Sequence, residues 1–100
     1  MFSVMRYYQG QSELAAELKK NGKEVEKVIA GVPGFVAYYL IQNPDGVTSI
    51  TLCETRKGCE DSSKLAAEWL TKNVPKLKIN PPRIILGEVP LTFDRLHAHV

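Results

Sequence analysis

The chain has 100 residues, of which 44% are hydrophobic and 24% charged, and its formal net charge is +2. That length makes one domain with a single modest core, the ordinary composition excludes a disordered chain, and the weak charge leaves no footprint for nucleic acid or an anionic membrane. No apolar run approaches the ~20 residues that span a bilayer, and the start, "MFSVMRYYQGQ", lacks the apolar core of a secretory signal, so a cytoplasmic chain with Cys53 and Cys59 reduced is expected.

Residues 2–8, "FSVMRYY", are rich in β-formers and predict a first strand that Gly10 ends. Ser12 is placed to cap a helix, and Leu14, Leu18, Val25 and Ile29 recur at helical spacing, which predicts a helix over about 12–30. Gly22 interrupts its apolar face, as a kink, a packing contact or the end of a first helix. The lysines of this segment are mixed with Glu13, Glu17, Glu24 and Glu26, so it reads as a solvated face rather than a nucleic-acid surface.

"GVPG" stops the helix. Strands over 35–42 and 47–54 flank "NPDG", in which Pro44 presets the turn and Gly46 takes the φ that the next step requires. So short a loop makes the two strands antiparallel neighbours. A second helix is predicted from about Cys59 to Asn73, with Ser62, Leu65, Ala66, Trp69, Leu70 and Asn73 on one face. "KINPPR" is extended, and "RIILGEV", 83–89, is the fourth strand. The order β-α-β-β-α-β is that of the ferredoxin-like fold, an α+β antiparallel sheet with two helices on one face. Residues 1–90 form this domain, and 91–100 a C-terminal arm.

One feature of the strands decides the expected assembly. Phe35, Ala37, Tyr39 and Ile41 point one way and Val36, Tyr38 and Leu40 the other, so both faces of strand two are apolar. Strand four repeats this with Ile84 and Leu86 against Ile85 and Val89. The pattern leaves open which set meets the helices. Either way the second face exceeds what monomers ordinarily expose. A second copy is the expected cover, giving a homodimer whose two sheets share a barrel.

The element order over residues 2–89, the "VPGF" leading into strand two, and the passage from a strand ending "LCE" to a helix with "AAEWL" carry a resemblance to a known group. The chain resembles the dimeric α+β barrel superfamily, antibiotic biosynthesis monooxygenase-like proteins among them. That resemblance implies cofactor-independent oxygenases, haem enzymes, isomerases or proteins without activity, and in the oxygenases a pocket between sheet and helices. Haem-binding members need an axial histidine. His97 and His99 stand in the tail with no acid or thiol beside them, so neither metal nor cofactor is expected.

The candidate site is a small-molecule pocket. Arg6 on the first strand needs an acid, the rim or an anionic ligand. Ser62, Trp69 and Asn73 are polar groups on an otherwise apolar helix face and need partners. Tyr8 and Tyr39, from the tyrosine-rich first two strands, complete the expected lining of a pocket for a small aromatic ligand. An oxygenase reading has Arg6 stabilise a phenolate or enolate near dioxygen, while Trp69, Asn73 and a tyrosine position the ring. No general base is evident, so the substrate would have to be acidic already, and no catalytic residue is assigned. A non-catalytic ligand-binding or structural dimer is the alternative. Cys59 near a helix start raises the idea of a reactive thiol, though packing explains both cysteines as well.

Overall fold

The computed structural model describes residues 1–95, so His97 and His99 lie outside the described residues. The elements are β1 (Phe2–Gln9), α1 (Ser12–Lys20), α2 (Gly22–Ala30), β2 (Phe35–Asn43), β3 (Gly46–Cys53), α3 (Arg56–Asn73) and β4 (Arg83–Glu88), with a 3-10 turn at Pro75–Leu77. The sheet order is β2-β3-β1-β4 and every neighbouring pair is antiparallel. α1 packs on β3 and β2, α2 on β2, and α3 on β1 and β3, all on one face. This is the expected ferredoxin-like α+β architecture.

The first helical segment is two helices rather than one. The break falls at Asn21, whose backbone leaves the helical region and whose Nδ2 donates to the Glu17 carbonyl oxygen at 2.8 Å. Gly22 therefore opens α2 on an exposed position, and a Cβ there would meet nothing. Its expected cost inside a helix does not arise. Ser12 is the first helical residue, and Gln11 precedes it without a side-chain cap. α3 begins three residues before the expected Cys59, because the Thr55 hydroxyl caps it by accepting from the Gly58 amide at 3.0 Å. Gly58 is needed at that place: a Cβ would sit 3.0 Å from Cβ of Cys53. Gly46 is required for the same kind of reason, since a Cβ there would run into the Tyr8 carbonyl oxygen.

The register settles which parity meets the helices. Val4, Arg6 and Tyr8 of β1, and Val47, Ser49, Thr51 and Cys53 of β3, are buried beneath them. On β2 the pairing slips between Phe35 and Ala37, so that Phe35, Tyr38 and Leu40 stand opposite Cys53, Thr51 and Ser49. Phe35 thus shares the side of Tyr38 and Leu40, not that of Ala37, Tyr39 and Ile41 as strict alternation predicts. A β-bulge at Val36 inserts one residue and reverses the alternation behind it.

Two groups of side chains make the core. One joins Tyr8, Leu14, Leu18, Val47, Trp69, Leu70 and Val74, and the other joins Val4, Val32, Cys53 and Cys59. Each large apolar side chain among them stabilises the fold by roughly 1.5–3 kcal/mol. No described residue covers the opposite sheet face: Met5, Tyr39, Ile41 and Ile85 are all exposed there, Ile85 at 52%. Beyond β4, Leu91 and Phe93 are also exposed.

Both thiols are free and fully buried. Burial, and then the neighbouring Cys59, push the Cys53 thiol up to about 11. Such a group is unreactive near neutral pH, and Cys59, the thiol singled out from sequence, is fully buried, out of reach of a reactant from solvent.

Two outcomes follow for solution experiments. Thr55→Ala should lower the urea midpoint by an amount equivalent to about 1 kcal/mol, with an unchanged denaturant slope. Because its folded pKa is raised, the protonated Cys53 contributes stability that is fully present below the ordinary thiol value and is lost as pH rises through about 11. Wild-type stability should therefore fall over that alkaline window, and Cys53→Ala should flatten the fall. Equal slopes for the two proteins would contradict it.

Candidate functional site

Arg6 sits mid-strand in β1, at 1% exposure. Its side chain must lie beneath the helices because Val4 and Tyr8, two residues either side, do so. Among the described residues no carboxylate accompanies it. Its Nε donates to Ser49 Oγ at 3.0 Å, its Nη1 to Ser62 Oγ at 3.2 Å and Ser63 Oγ at 2.9 Å, and its Nη2 to Thr51 Oγ1. Ser62 in turn donates to the Cys59 carbonyl oxygen at 2.7 Å, which fixes its lone pairs toward the guanidinium. The cage thus draws on β3 and α3 for neutral acceptors only.

A guanidinium has five N–H donors. Four are engaged here, and one Nη2 hydrogen has no partner among the described residues. Burial lowers the Arg6 pKa, and the nearby phenols of Tyr8 and Tyr38 oppose that shift. Arginine nevertheless stays protonated in proteins. A buried cation without an anion is costly unless it is paired. The hydroxyl cage offsets part of that cost and leaves the positive charge uncompensated.

Two phenols flank it. Burial pushes the Tyr8 hydroxyl up and Arg6 pulls it down. Burial likewise raises Tyr38, against Arg6 and a hydrogen bond with Ser49. The net direction is upward for both, so both are neutral donors near pH 7 rather than bases.

Two hollows meet at this arginine. An inner cavity of about 30 Å³ is walled by Arg6, Tyr8, Tyr38, Ser49 and Trp69 with apolar residues of all three helices. An outer cleft of about 440 Å³ lies between α3 and the 75–84 segment, and Arg6, Tyr8, Ser63, Thr71, Lys78 and Asn80 are among its walls. A wider open groove of about 1240 Å³ runs between α1, α2 and β2 and does not include Arg6. Among the described residues, no cluster of three histidines, cysteines or acids stands ready for a metal.

The candidates named from sequence separate on this geometry. Arg6 and Tyr8 line both hollows, and Trp69 lines the inner one. Trp69 Nε1 is turned to Glu24 Oε1 at 3.2 Å. Ser62 stands behind Arg6 as part of its cage. Tyr39 lies on the uncovered face at 44% exposure, and Tyr38 occupies the place on β2 beside Arg6. Asn73 is exposed, and its Nδ2 donates to the Trp69 carbonyl oxygen at 2.9 Å, so it finishes α3 instead of reaching the hollow. Ser49, Thr51 and Ser63 complete the cage of Arg6 with little in the sequence to mark them. Their one signal is that "TSIT" places Ser49 and Thr51 on one side of β3, small polar residues where apolar ones are expected.

No protein-family model and no curated protein matches the chain. Solved structures do. A MhuD variant with two manganese protoporphyrin IX groups bound per active site aligns with a TM-score of 0.69 at 13% identity, covering 94% of this chain and 99% of that one. The monooxygenase from the ActVA-Orf6 gene of Streptomyces coelicolor, in complex with nanaomycin D, aligns at 0.65 and 18% identity, covering 92% and 89%. SnoaB, a cofactor-independent oxygenase from Streptomyces nogalater, aligns at 0.59 and 17%, covering 91% and 93%. At these identities the likeness speaks to architecture alone: the chain shares the ferredoxin-like fold of these structures.

Proposed function

We propose that the protein binds a small aromatic or enolic organic anion in the outer cleft, against the spare N–H of Arg6. The observation that carries this reading is the buried guanidinium with four neutral acceptors and no acid. An anion there supplies the missing charge, and charge-assisted hydrogen bonds of that kind are worth about 1.5–3 kcal/mol. Lys78 adds a second positive group to the cleft, while Leu70, Val74 and Ile79 offer apolar walls for a ring.

The chemistry this geometry serves best is cofactor-independent oxygenation. The two tyrosines are held protonated and no acid or histidine lines either hollow, so the described residues supply no base. The substrate must therefore reach the site already ionised, or ionise because Arg6 stabilises its anion. Such an enolate reduces dioxygen, a carbon–oxygen bond forms, and protonation gives a hydroperoxide. Loss of water from it breaks the O–O bond and leaves a carbonyl. The net change is one CH₂ plus O₂ to one C=O plus water. Arg6 stabilises the enolate and then the peroxide anion. An isomerase would need a group that takes up and returns a proton near neutral pH, and the walls offer none. The same lack of a base favours a second reading, a non-catalytic dimer that carries the anion.

A haem is not part of this proposal. One structural neighbour holds manganese protoporphyrin IX groups, but among the described residues the walls of both hollows contain no histidine, cysteine or methionine for an axial position. Tyr8 and Tyr38 are kept protonated by burial.

We also infer a homodimer through the uncovered sheet face, where Met5, Tyr39, Ile41 and Ile85 need cover. The free buried thiols support a reducing, cytoplasmic setting. Among the described residues no helix is long and apolar enough to cross a membrane.

The single tryptophan gives a direct readout. An acidic hydroxynaphthoquinone should quench Trp69 fluorescence with at least roughly ten-fold higher affinity than its methyl ether. Arg6→Met should erase that preference. Equal affinities in the wild type would sink the anion site. With anthrone as an enolisable probe, dioxygen uptake should match anthraquinone formed in metal-free buffer. No uptake leaves the carrier reading. Sedimentation at micromolar concentration should show twice the 11.2 kDa chain mass, and Ile85→Glu should halve it; a wild-type monomer contradicts the dimer.

A further inference from the structure

The inner cavity is distinct from the outer cleft it adjoins, and its size and walls point to a gas rather than to an organic ligand. Its volume of about 30 Å³ compares with the 10–15 Å³ that one water requires on this measure. An aromatic ring does not fit, whereas a diatomic molecule does. Leu18, Val25, Val28, Ile29 and Ala66 supply apolar surface from α1, α2 and α3. A stable buried water needs two to four polar partners. Ser49 is occupied by Arg6 and by Tyr38, and the Trp69 indole N–H is turned to Glu24, which leaves Tyr8 and the guanidinium as polar groups in an otherwise apolar wall.

The placement of this compartment adds the second half of the argument. Arg6, Tyr8 and Leu70 wall both the inner cavity and the outer cleft. An occupant of the inner space therefore lies against the same guanidinium that faces the anion in the cleft. We propose that the inner cavity is a dioxygen pocket, with Arg6 as the partition between the gas and the organic anion. This inference rests on the oxygenase reading above for its purpose, though not for its geometry. Gas would approach between the helices and β2, and the organic anion from the side of α3 and β4. The two reactants then enter without displacing one another, and negative charge passing from enolate to dioxygen stays beside one cation.

Ala66 is the useful position, because its side chain is the smallest in the wall. Ala66→Leu should fill the cavity, and helix propensity does not oppose the change. Val28→Ile is a milder version should the larger side chain prevent folding. Crystals of the full chain pressurised with krypton should show one krypton atom between Val28, Ala66 and Trp69, and the filled variants should lose it. With anthrone as substrate, the KM for dioxygen should rise by roughly ten-fold in Ala66→Leu, with hydroxynaphthoquinone affinity unchanged. An empty or water-filled cavity in the wild type overturns the proposal. So does loss of the krypton site with an unchanged KM for dioxygen. If anthrone is not turned over, the oxygenase reading falls with it, and the krypton experiment still decides whether the gas pocket exists.

Discussion

The guanidinium of Arg6 is the constraint around which the middle of this protein is arranged. A charge at 1% exposure must be satisfied by hydrogen bonds, and here four hydroxyls from β3 and α3 do so. That requirement ties three elements that are far apart in sequence. It fixes the side of β3 that faces inward, since Ser49 and Thr51 both serve it. It also fixes the rotation of α3 about its axis, since Ser62 and Ser63 must both reach Nη1. The apolar clusters on either side, around Leu14 and Trp69 and around Val4 and Cys59, supply the driving force for closure. The arginine supplies a register that hydrophobic contacts alone leave loose.

The arrangement also has a cost that points toward function. Neutral hydroxyls satisfy N–H groups, but they do not neutralise a charge. Stability alone would be met as well by an apolar residue of similar volume, as replacements of buried ion pairs in other proteins indicate. Retaining an uncompensated cation, with one donor free and a cleft on its outer side, is the arrangement expected where an anion arrives later. The flanking phenols fit the same purpose. Tyr8, which lines the cleft, stays protonated and can donate to an anion, and neither it nor Tyr38 competes with the anion for Arg6.

Much of the architecture could be seen in the sequence, because each element carries its own local signal. The stop at "GVPG", the "NPDG" turn and the apolar periodicity of α1 and α2 each resolve correctly. The side-chain assignments were harder, for a definable reason. Apolar residues on both faces of β2 and β4 remove the alternation that ordinarily reveals the inner face. The bulge at Val36 then shifts part of β2 by one residue without any glycine or proline to announce it. Tyr39 and Tyr38 exchange roles through these two effects. Asn73 shares the wheel position of the inward residues, but it is exposed at the last residue of α3, where its amide bonds the last turn. Arg6 and Ser62 could be chosen from sequence because a polar group on an apolar face has few explanations. Their cage could not, since Ser49, Thr51 and Ser63 act only through a contact that the fold creates.

The most direct test of the account is a crystal structure of the protein with an acidic hydroxynaphthoquinone. The account predicts the ionised oxygen within hydrogen-bond distance of Arg6 Nη2, the ring lying in the cleft between α3 and the 75–84 segment, and the hydroxyl cage unchanged. Density for the ring in the open groove beside β2, with no anionic oxygen near Arg6, would contradict it.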